Sequence, residues 1–219
     1  MMFKILKIIF FKDVLIELRD KGNFYYILIL SAVFSLVFTS YLDYKYILFS
    51  FYITLLITNM LVNQRISRQE LGKNDELIVF SLPFDLSIFC IAKIIFNFII
   101  FIFQAILLIF LYNLFSNSYY IEFNYNFILF TIIYILGLSI FFTCFSLMLE
   151  RIKGEGQFMF ITILPLVVPF LFLSFNTLNQ LYYYEFSEFI KLFNLQLLIA
   201  FDILLFAVCP ILFSYALRR

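Results

Sequence analysis

Six long blocks of apolar residues constrain the fold of this chain more than any other feature. They lie at about residues 24–40, 46–62, 88–114, 127–149, 158–175 and 195–217. A helix needs about 20 apolar residues to cross the hydrocarbon core of a bilayer. Of the 219 residues, 65% are hydrophobic and 13% are charged, whereas soluble domains carry roughly 25% charged residues. The sequence therefore predicts an all-α integral membrane protein, with six transmembrane helices in a single domain over residues 1–219.

The basic residues predict how these helices are oriented. Lys and Arg in short connections stay on the cytoplasmic side of a membrane. Four segments that alternate along the chain hold most of them: Lys4, Lys7, Lys12, Arg19 and Lys21; Arg65, Arg68 and Lys73; Arg151 and Lys153; Arg218 and Arg219. The other side has only Lys45 and Lys191. We expect both termini to face the cytoplasm, or the matrix if the membrane is mitochondrial.

Residues 1–22 precede the first apolar block and alternate apolar with charged side chains. Phe3, Leu6, Phe10, Val14 and Leu18 recur at steps of three or four. This spacing is typical of an amphipathic helix that lies in the plane of the membrane interface. We expect it to anchor and orient the first span.

The longest charged stretch of the chain separates the second and third blocks. Residues 65–85 read RISRQELGKNDELIVFSLPFD, with basic residues first, acidic residues next and an apolar run before Pro83. Within the polar connection 63–87, this pattern predicts a short amphipathic helix at the cytoplasmic surface, where a partner protein could push on it. Residues 151–156 form a second charged turn on the same side, and Gly154 and Gly156 permit a tight reversal there.

Several polar residues fall inside the predicted spans. Thr54, Thr58, Asn59 and Asn63 share one side of the second span, and Asn97 and Gln104 share one face of the third. We interpret both groups as hydrogen-bonding positions between packed helices, in preference to a substrate path. Lys93 is close enough to the cytoplasmic end of the third span to extend its ammonium into the headgroups.

The last two spans contain three residues with possible roles in movement or transport. Pro165 and Pro169 stand four apart in the fifth span, which should be kinked or broken there. Such interruptions mark moving or cavity-lining helices in transporters, but a static kink is equally consistent with the sequence. Asp202 is the only carboxylate within a predicted span, and such a group is a candidate functional site. Its position toward the outer end also allows it to reach water.

The sequence lacks the residues that several kinds of chemistry require. It has no histidine, the residue that most often ligates haem iron or zinc. Cys90, Cys144 and Cys209 show no paired spacing, which gives no indication of a disulfide framework or a metal site. No phosphate-binding Gly-x-x-x-x-Gly-Lys-Ser/Thr loop is present. We therefore expect no catalytic residue, no bound cofactor or metal and no nucleic-acid partner, and ATP chemistry only in another polypeptide.

Three stretches carry a resemblance to a known family. The first runs from Arg68-Gln69-Glu70-Leu71 through Asp75-Glu76-Leu77 to Ser81-Leu82-Pro83 and Ala92-Lys93; the second joins Lys153-Gly154-Glu155-Gly156 to Leu164-Pro165-Leu166-Val167-Val168-Pro169; the third is Pro210 followed by Ala216-Leu217-Arg218. In these stretches, and in its six spans, the chain resembles the CcmB family. Its members are haem exporter B proteins, the membrane subunits of an ABC transporter in cytochrome c maturation.

The resemblance implies an ABC-2-like permease that is not itself an enzyme. Its expected partners are a second copy of the chain, an ATP-binding subunit, a haem-handling membrane subunit and a haem chaperone. Haem would be handled by the complex, in the inner membrane of a bacterium or a mitochondrion. The residues predicted to couple to the ATPase are Arg68, Glu70, Gly72, Asp75, Glu76, Pro83, Arg151, Lys153, Gly154 and Gly156, while Pro165 and Pro169 would let the fifth helix respond.

A second hypothesis does not need an ATPase. The chain could be a self-sufficient secondary transporter, in which Asp202 and an interrupted fifth helix form the transport site. An ABC-2 permease for a substrate other than haem is a further alternative.

Overall fold

The computed structural model describes residues 2–19, 21–42, 46–70, 85–116, 121, 123–151 and 158–218. Side chains at several helix ends are outside this description, including those of residues 2–5, 68–70, 147–151, 158–164 and 216–218. The described part is mostly helical, and it contains no strand. Its helices are α1 (Met2–Arg19), α2 (Lys21–Tyr41), α3 (Ile47–Glu70), α4 (Leu86–Phe115), α5 (Tyr125–Arg151), α6 (Phe158–Gln180), α7 (Phe186–Phe189) and α8 (Phe193–Arg218).

The helices α4 and α5 form the centre of the bundle. Helix α4 packs against α1, α2, α3, α5 and α8, and α5 packs against α3, α4, α6, α7 and α8. The remaining helices are therefore arranged around this pair.

Hydrogen bonds between side chains fix the directions of the central helices. The Tyr52 hydroxyl lies 2.8 Å from Thr131 Oγ1, and Ser67 Oγ donates to Ser146 Oγ at 2.7 Å. Both pairs join α3 to α5 in the same order along the chain, so these two helices run in parallel. Near the start of α3, Thr54 contacts Tyr112 at the end of α4, so α4 runs in the opposite direction.

Aromatic rings fill the core near the start of α3 and α5. Tyr52 contacts Phe130 and Tyr134 in edge-to-face geometry, with centroids 5.1 Å apart in each case. Tyr134 stacks on Phe170 of α6, and Phe51 completes the group against Tyr112. Edge-to-face and offset-stacked ring pairs stabilise a fold beyond the contribution of the apolar area that they bury. The preferred ring geometries explain how so Phe-rich a sequence forms a defined core.

The outer surface of the bundle is apolar, as a bilayer requires. Among the described residues, five helices are long and apolar enough to cross a membrane: Phe24–Tyr41, Ile47–Ser67, Leu86–Phe115, Tyr125–Ser146 and Phe193–Tyr215. Ile106, Phe110 and Ile203 are each more than 60% exposed on this surface. The chain is therefore an integral membrane protein. The fifth predicted span coincides with α6, which is not among the five, so the six-span topology and the orientation of the termini stay predictions.

Several boundaries differ from those expected from the sequence. Residues 63–70 continue α3 and do not begin a separate surface helix, because the apolar face of the second span extends to Ile66 and the polar Ser67 is also buried. Helix α6 is continuous through Pro165 and Pro169, so it is not broken at either proline. It extends to Gln180, five residues beyond the end of the fifth apolar block at residue 175.

Candidate functional site

The residues predicted to couple to an ATPase lie mostly outside the described part of the chain. Gly72, Asp75, Glu76, Pro83, Lys153, Gly154 and Gly156 are in this group. Arg68 and Glu70 belong to the last turn of α3, and Arg151 is the last residue of α5. The structure describes the backbone of these three, but not their side chains.

The described flanks of the two predicted coupling segments meet at one end of the bundle. Because α3 and α5 are parallel, their carboxyl ends lie on the same side, and the Ser67–Ser146 hydrogen bond joins them there at 2.7 Å. Arg65 of α3 donates to the carbonyl of Gly22 at 3.4 Å, and its guanidinium lies 5.1 Å from the centre of the Tyr26 ring. The amino end of α2 is thus held at the same end.

A chain of buried polar side chains connects α3, α4 and α5 close to this end. The Asn97 amide donates to Asn63 Oδ1 at 2.7 Å and to Thr143 Oγ1 at 2.8 Å. The Asn63 amide in turn donates to Ser146 Oγ at 2.7 Å. We refer to these residues, with Ser67, as the polar seam. The predicted hydrogen bonding between helices is confirmed for Thr54, Asn63 and Asn97. Thr58 bonds to carbonyls of its own helix.

Polar groups without a partner lie between the same helices, about one helical turn further from the shared end of α3 and α5. The side chains of Asn59 and Gln104 are fully buried, and none of their nitrogen and oxygen atoms has a hydrogen-bond partner. Asn97 faces Asn63, and Tyr112 faces Thr54. In this antiparallel register, Gln104 lies at about the level of Asn59.

Lys93 forms a buried ion pair instead of reaching the headgroups. Its Nζ lies 2.8 Å from Asp13 Oδ2 of α1, and the two side chains are each 4% exposed. The rings of Phe89 and Phe96 flank the ammonium at 5.2 and 5.9 Å. The prediction that Lys93 snorkels is therefore wrong, because α1 packs over it and brings a carboxylate within reach.

Asp202 is enclosed where α8 meets α5 and α6. Its side chain is 3% exposed, and neither carboxylate oxygen has a hydrogen-bond partner. A Cβ built on Gly137 would lie 2.5 Å from Asp202 Oδ1 and 2.8 Å from Phe170 Cζ. The carboxyl therefore occupies space that only a glycine leaves. Because Gly137 is near the middle of α5, the interpretation that Asp202 reaches water at the outer end is wrong.

The two prolines of α6 are near this site in sequence but face outwards. Pro165 and Pro169 are both exposed. Phe170, which follows Pro169, is fully buried and lies 6.3 Å from the Phe201 ring, centroid to centroid. The structure thus brings Asp202 next to the residue after Pro169, and it leaves the prolines themselves on the apolar surface.

Three cysteines from different helices also meet in the interior. Cys90 Sγ of α4 lies 3.5 Å from Cys144 Sγ of α5, and Cys209 of α8 is within hydrogen-bonding reach of Cys144. All three are free thiols. Their separation along the chain hid this proximity. Only the packing of α4, antiparallel to α5, and of α8, parallel to α5, brings the three thiols together. Among the described residues, no group of three or more His, Cys, Asp or Glu could hold a metal ion.

A cleft of about 610 Å³ lies between α1, α2 and α4. Its walls are mostly apolar, with Phe24, Phe96 and Phe103 among the largest side chains and Glu17 as the charged one. Such a lining suits an apolar chain, such as a lipid tail, better than a polar substrate.

Comparison with protein-family models and with curated proteins identified no relative of this chain. No protein-family model matches the chain, and no curated protein does. The class that the fold defines is that of a helical integral membrane protein. Its function has to be argued from its own residues.

Proposed function

We propose that this chain is the non-catalytic membrane subunit of an ABC transporter, moved by a separate ATP-binding subunit. The observation that supports this best is the shared end of α3 and α5. Residues 63–70 of the first predicted coupling segment, 63–87, and Arg151 of the second, 151–156, end α3 and α5 on this side. An ATPase docked there could press on two parallel helices at once.

The polar seam gives this proposal a mechanical basis. Asn63, Asn97 and Ser146 bind α3, α4 and α5 to one another within a few turns of that end. Four hydrogen bonds join these helices here, and each such bond between membrane helices contributes about 0.6 kcal/mol on average. A displacement of α3 would be passed to α4 and α5.

A narrower form of the proposal follows from the resemblance to the CcmB family. The transported or released species would then be haem, delivered during c-type cytochrome biogenesis. ATP would be bound by the partner subunit, and two copies of this chain would act with a haem-handling membrane subunit and a haem chaperone. The membrane would be the inner membrane of a bacterium or a mitochondrion. The sequence motifs are the support for this form.

Asp202 favours a second candidate, a self-sufficient secondary transporter. A buried ionisable group facing the interior of a bundle is typical of proton-linked and ion-linked carriers. An ABC-2 permease for another substrate needs the same docking end as the first candidate. Retention of an ATPase therefore separates the secondary transporter from both forms of ABC subunit.

The test is co-purification from a host that expresses the full chain with the ATP-binding subunit of the same genome. Charge reversal at Glu70, Asp75 and Glu76 should lower the retained ATPase by about tenfold, equivalent to ~1.4 kcal/mol. The matched control reverses Glu185 and Glu188, which are exposed. They lie at the opposite end, where Asn126 at the start of α5 donates to the carbonyl of Tyr184 at 2.8 Å.

Two results would contradict the proposal. One is an ATPase retained equally by both sets of variants, and the other is no ATPase retained by the unmodified chain. For the haem-specific form, the readout is the level of covalently haem-bound c-type cytochromes in cells lacking the chain. Levels unchanged by its loss would refute this form and leave the general ABC assignment in place.

A further inference from the structure

We propose that the carboxyl of Asp202 is a proton-binding site inside the bundle, held against α5 in the space left by Gly137. This inference does not depend on an ATPase. It concerns a group that the coupling function does not use, and it applies to both candidate functions.

The surroundings of the carboxyl contain no counter-charge in the described part of the chain. Helix α8 packs against α4, α5 and α6. Eight titratable or charged side chains are described on α4, α5 and α8. They are Cys90, Lys93 and Tyr112 of α4, Tyr125, Tyr134 and Cys144 of α5, and Cys209 and Tyr215 of α8. The sequence of α6 contains none.

Most of these groups are engaged elsewhere. Lys93 is paired with Asp13, and the Tyr134 hydroxyl donates to the carbonyl of Tyr52 at 3.1 Å. Tyr112 contacts Thr54 at 2.7 Å, and the Cys144 thiol contacts those of Cys90 and Cys209. Tyr125 is 76% exposed and Tyr215 is 61% exposed on the outer surface. None of them offers Asp202 a positive charge.

A carboxylate at this place would be costly. Moving an isolated ionised carboxylate into an apolar interior is far less favourable than moving the neutral acid, and uptake of a proton removes the charge. Both oxygens of Asp202 lack a hydrogen-bond donor, so no protein group stabilises the anion. The closed bundle therefore favours the acid, and the anion requires water or a donor that enters from outside.

Entry to the site is controlled by α6 and α8. The Phe170 ring closes one side, within contact distance of the space at Gly137. Phe170 follows Pro169, a residue that removes one backbone hydrogen bond from the helix. Displacement of α6 near this proline, or of α8 away from Gly137, would open the carboxyl to water. Binding and release of the proton would then be linked to closing and opening between α5, α6 and α8.

The first test is labelling of the full chain with dicyclohexylcarbodiimide, an apolar reagent for carboxylic acids in membranes. The acid transfers its proton to a nitrogen of the carbodiimide while its oxygen bonds to the central carbon. The resulting O-acylisourea rearranges to a stable N-acylurea by migration of the acyl group to nitrogen. No group leaves, so the peptide gains the whole mass of the reagent.

We expect mass spectrometry to find the adduct at Asp202, and Asp202→Asn to abolish it. Above the midpoint of the Asp202 titration, labelling should fall by about tenfold for each pH unit, because the fraction of the protonated acid falls in proportion. Asp13 is a matched internal control, because it is as buried as Asp202 but paired with Lys93. Label on Asp13 equal to that on Asp202 would contradict the proposal.

The second test does not require a reagent to reach the site. The infrared spectrum of the unmodified chain minus that of Asp202→Asn should contain the carbonyl band of a carboxylic acid at neutral pH, shifted in heavy water. Gly137→Ala should move this band or lower the pH at which it is lost, because the added methyl displaces the carboxyl. Gly22→Ala is the matched control and should change neither. A difference spectrum without an acid band would overturn the proposal, even if labelling had occurred.

Discussion

Asp13 and Asp202 both carry buried carboxyl groups, 4% and 3% exposed, and their surroundings are opposite. Asp13 meets the ammonium of Lys93 at 2.8 Å, whereas Asp202 meets the α-carbon of a glycine and an aromatic ring. The first carboxylate joins two helices, so its charge contributes to how α1 packs on α4. The Asp202 carboxyl forms no hydrogen bond and therefore links no pair of helices in this way. The comparison teaches that burial alone does not assign a role to a charged residue in a membrane protein; its partners do.

The largest effect should come from removing one member of the ion pair. Lys93→Met leaves the Asp13 carboxylate buried without a counter-charge, and breaking a buried pair in this way costs about 3–5 kcal/mol. Thermal unfolding in a mild detergent should show a large loss of stability. The double variant Asp13→Asn with Lys93→Met should recover most of it.

Lys12→Met is the matched control for this experiment. Lys12 precedes Asp13 on α1 and is exposed, so its loss should change stability little. If the double variant were as unstable as Lys93→Met alone, the contrast between a paired and a lone carboxylate would fail.

The next effect should come from filling the space beside Asp202. Gly137→Ala introduces a methyl group too close to both Asp202 and Phe170, and overpacking of this kind costs about 1–3 kcal/mol. Adding Asp202→Ala should relieve part of the strain, which a double-mutant cycle measures. Ala207→Leu enlarges an exposed residue of α8 and should be tolerated. Additive effects at 137 and 202 would show that the two positions do not share this space.

A smaller loss of stability is expected from a change in the polar seam, where neutral polar groups are buried together with their hydrogen-bond partners. Asn97→Leu removes hydrogen bonds to Asn63 and Thr143 and should cost about 1–2 kcal/mol. Thr39→Val is the control, since its hydroxyl bonds only to carbonyls of its own helix. Equal losses for the two variants would mean that the seam does not hold α3, α4 and α5 together.

The smallest effect should follow from Tyr52→Phe. This change removes the 2.8 Å contact with Thr131 but keeps the ring that packs against Phe130 and Tyr134. We expect a loss of about 0.6 kcal/mol, with none for Tyr46→Phe, whose ring is 51% exposed. A loss as large as that of Lys93→Met would show that hydrogen bonds outweigh charge pairing in this bundle.

Much of the fold could be predicted from the sequence, because apolar length is a local property. The helices that contain the predicted spans are present, and Thr54, Asn63 and Asn97 pack between helices as expected. The pairing of Lys93 could not be predicted, since its partner lies on a segment expected at the membrane surface. The pocket of Asp202 depends on Gly137, and a single glycine in an apolar run carries no signal until the facing helix is known. The coupling role of residues 63–87 and 151–156 stays a prediction.

The ion pair between α1 and α4 also has a consequence for biosynthesis. Chains are made from the amino terminus, so α1 emerges before its partner. Asp13 can meet Lys93 only after α2, α3 and the first turns of α4 have been synthesised. Until then α1 has no counter-charge from α4, and its carboxylate favours the wet surface of the bilayer over the interior. Docking of α1 therefore belongs to a late stage of assembly, after the first helical hairpin has entered the membrane.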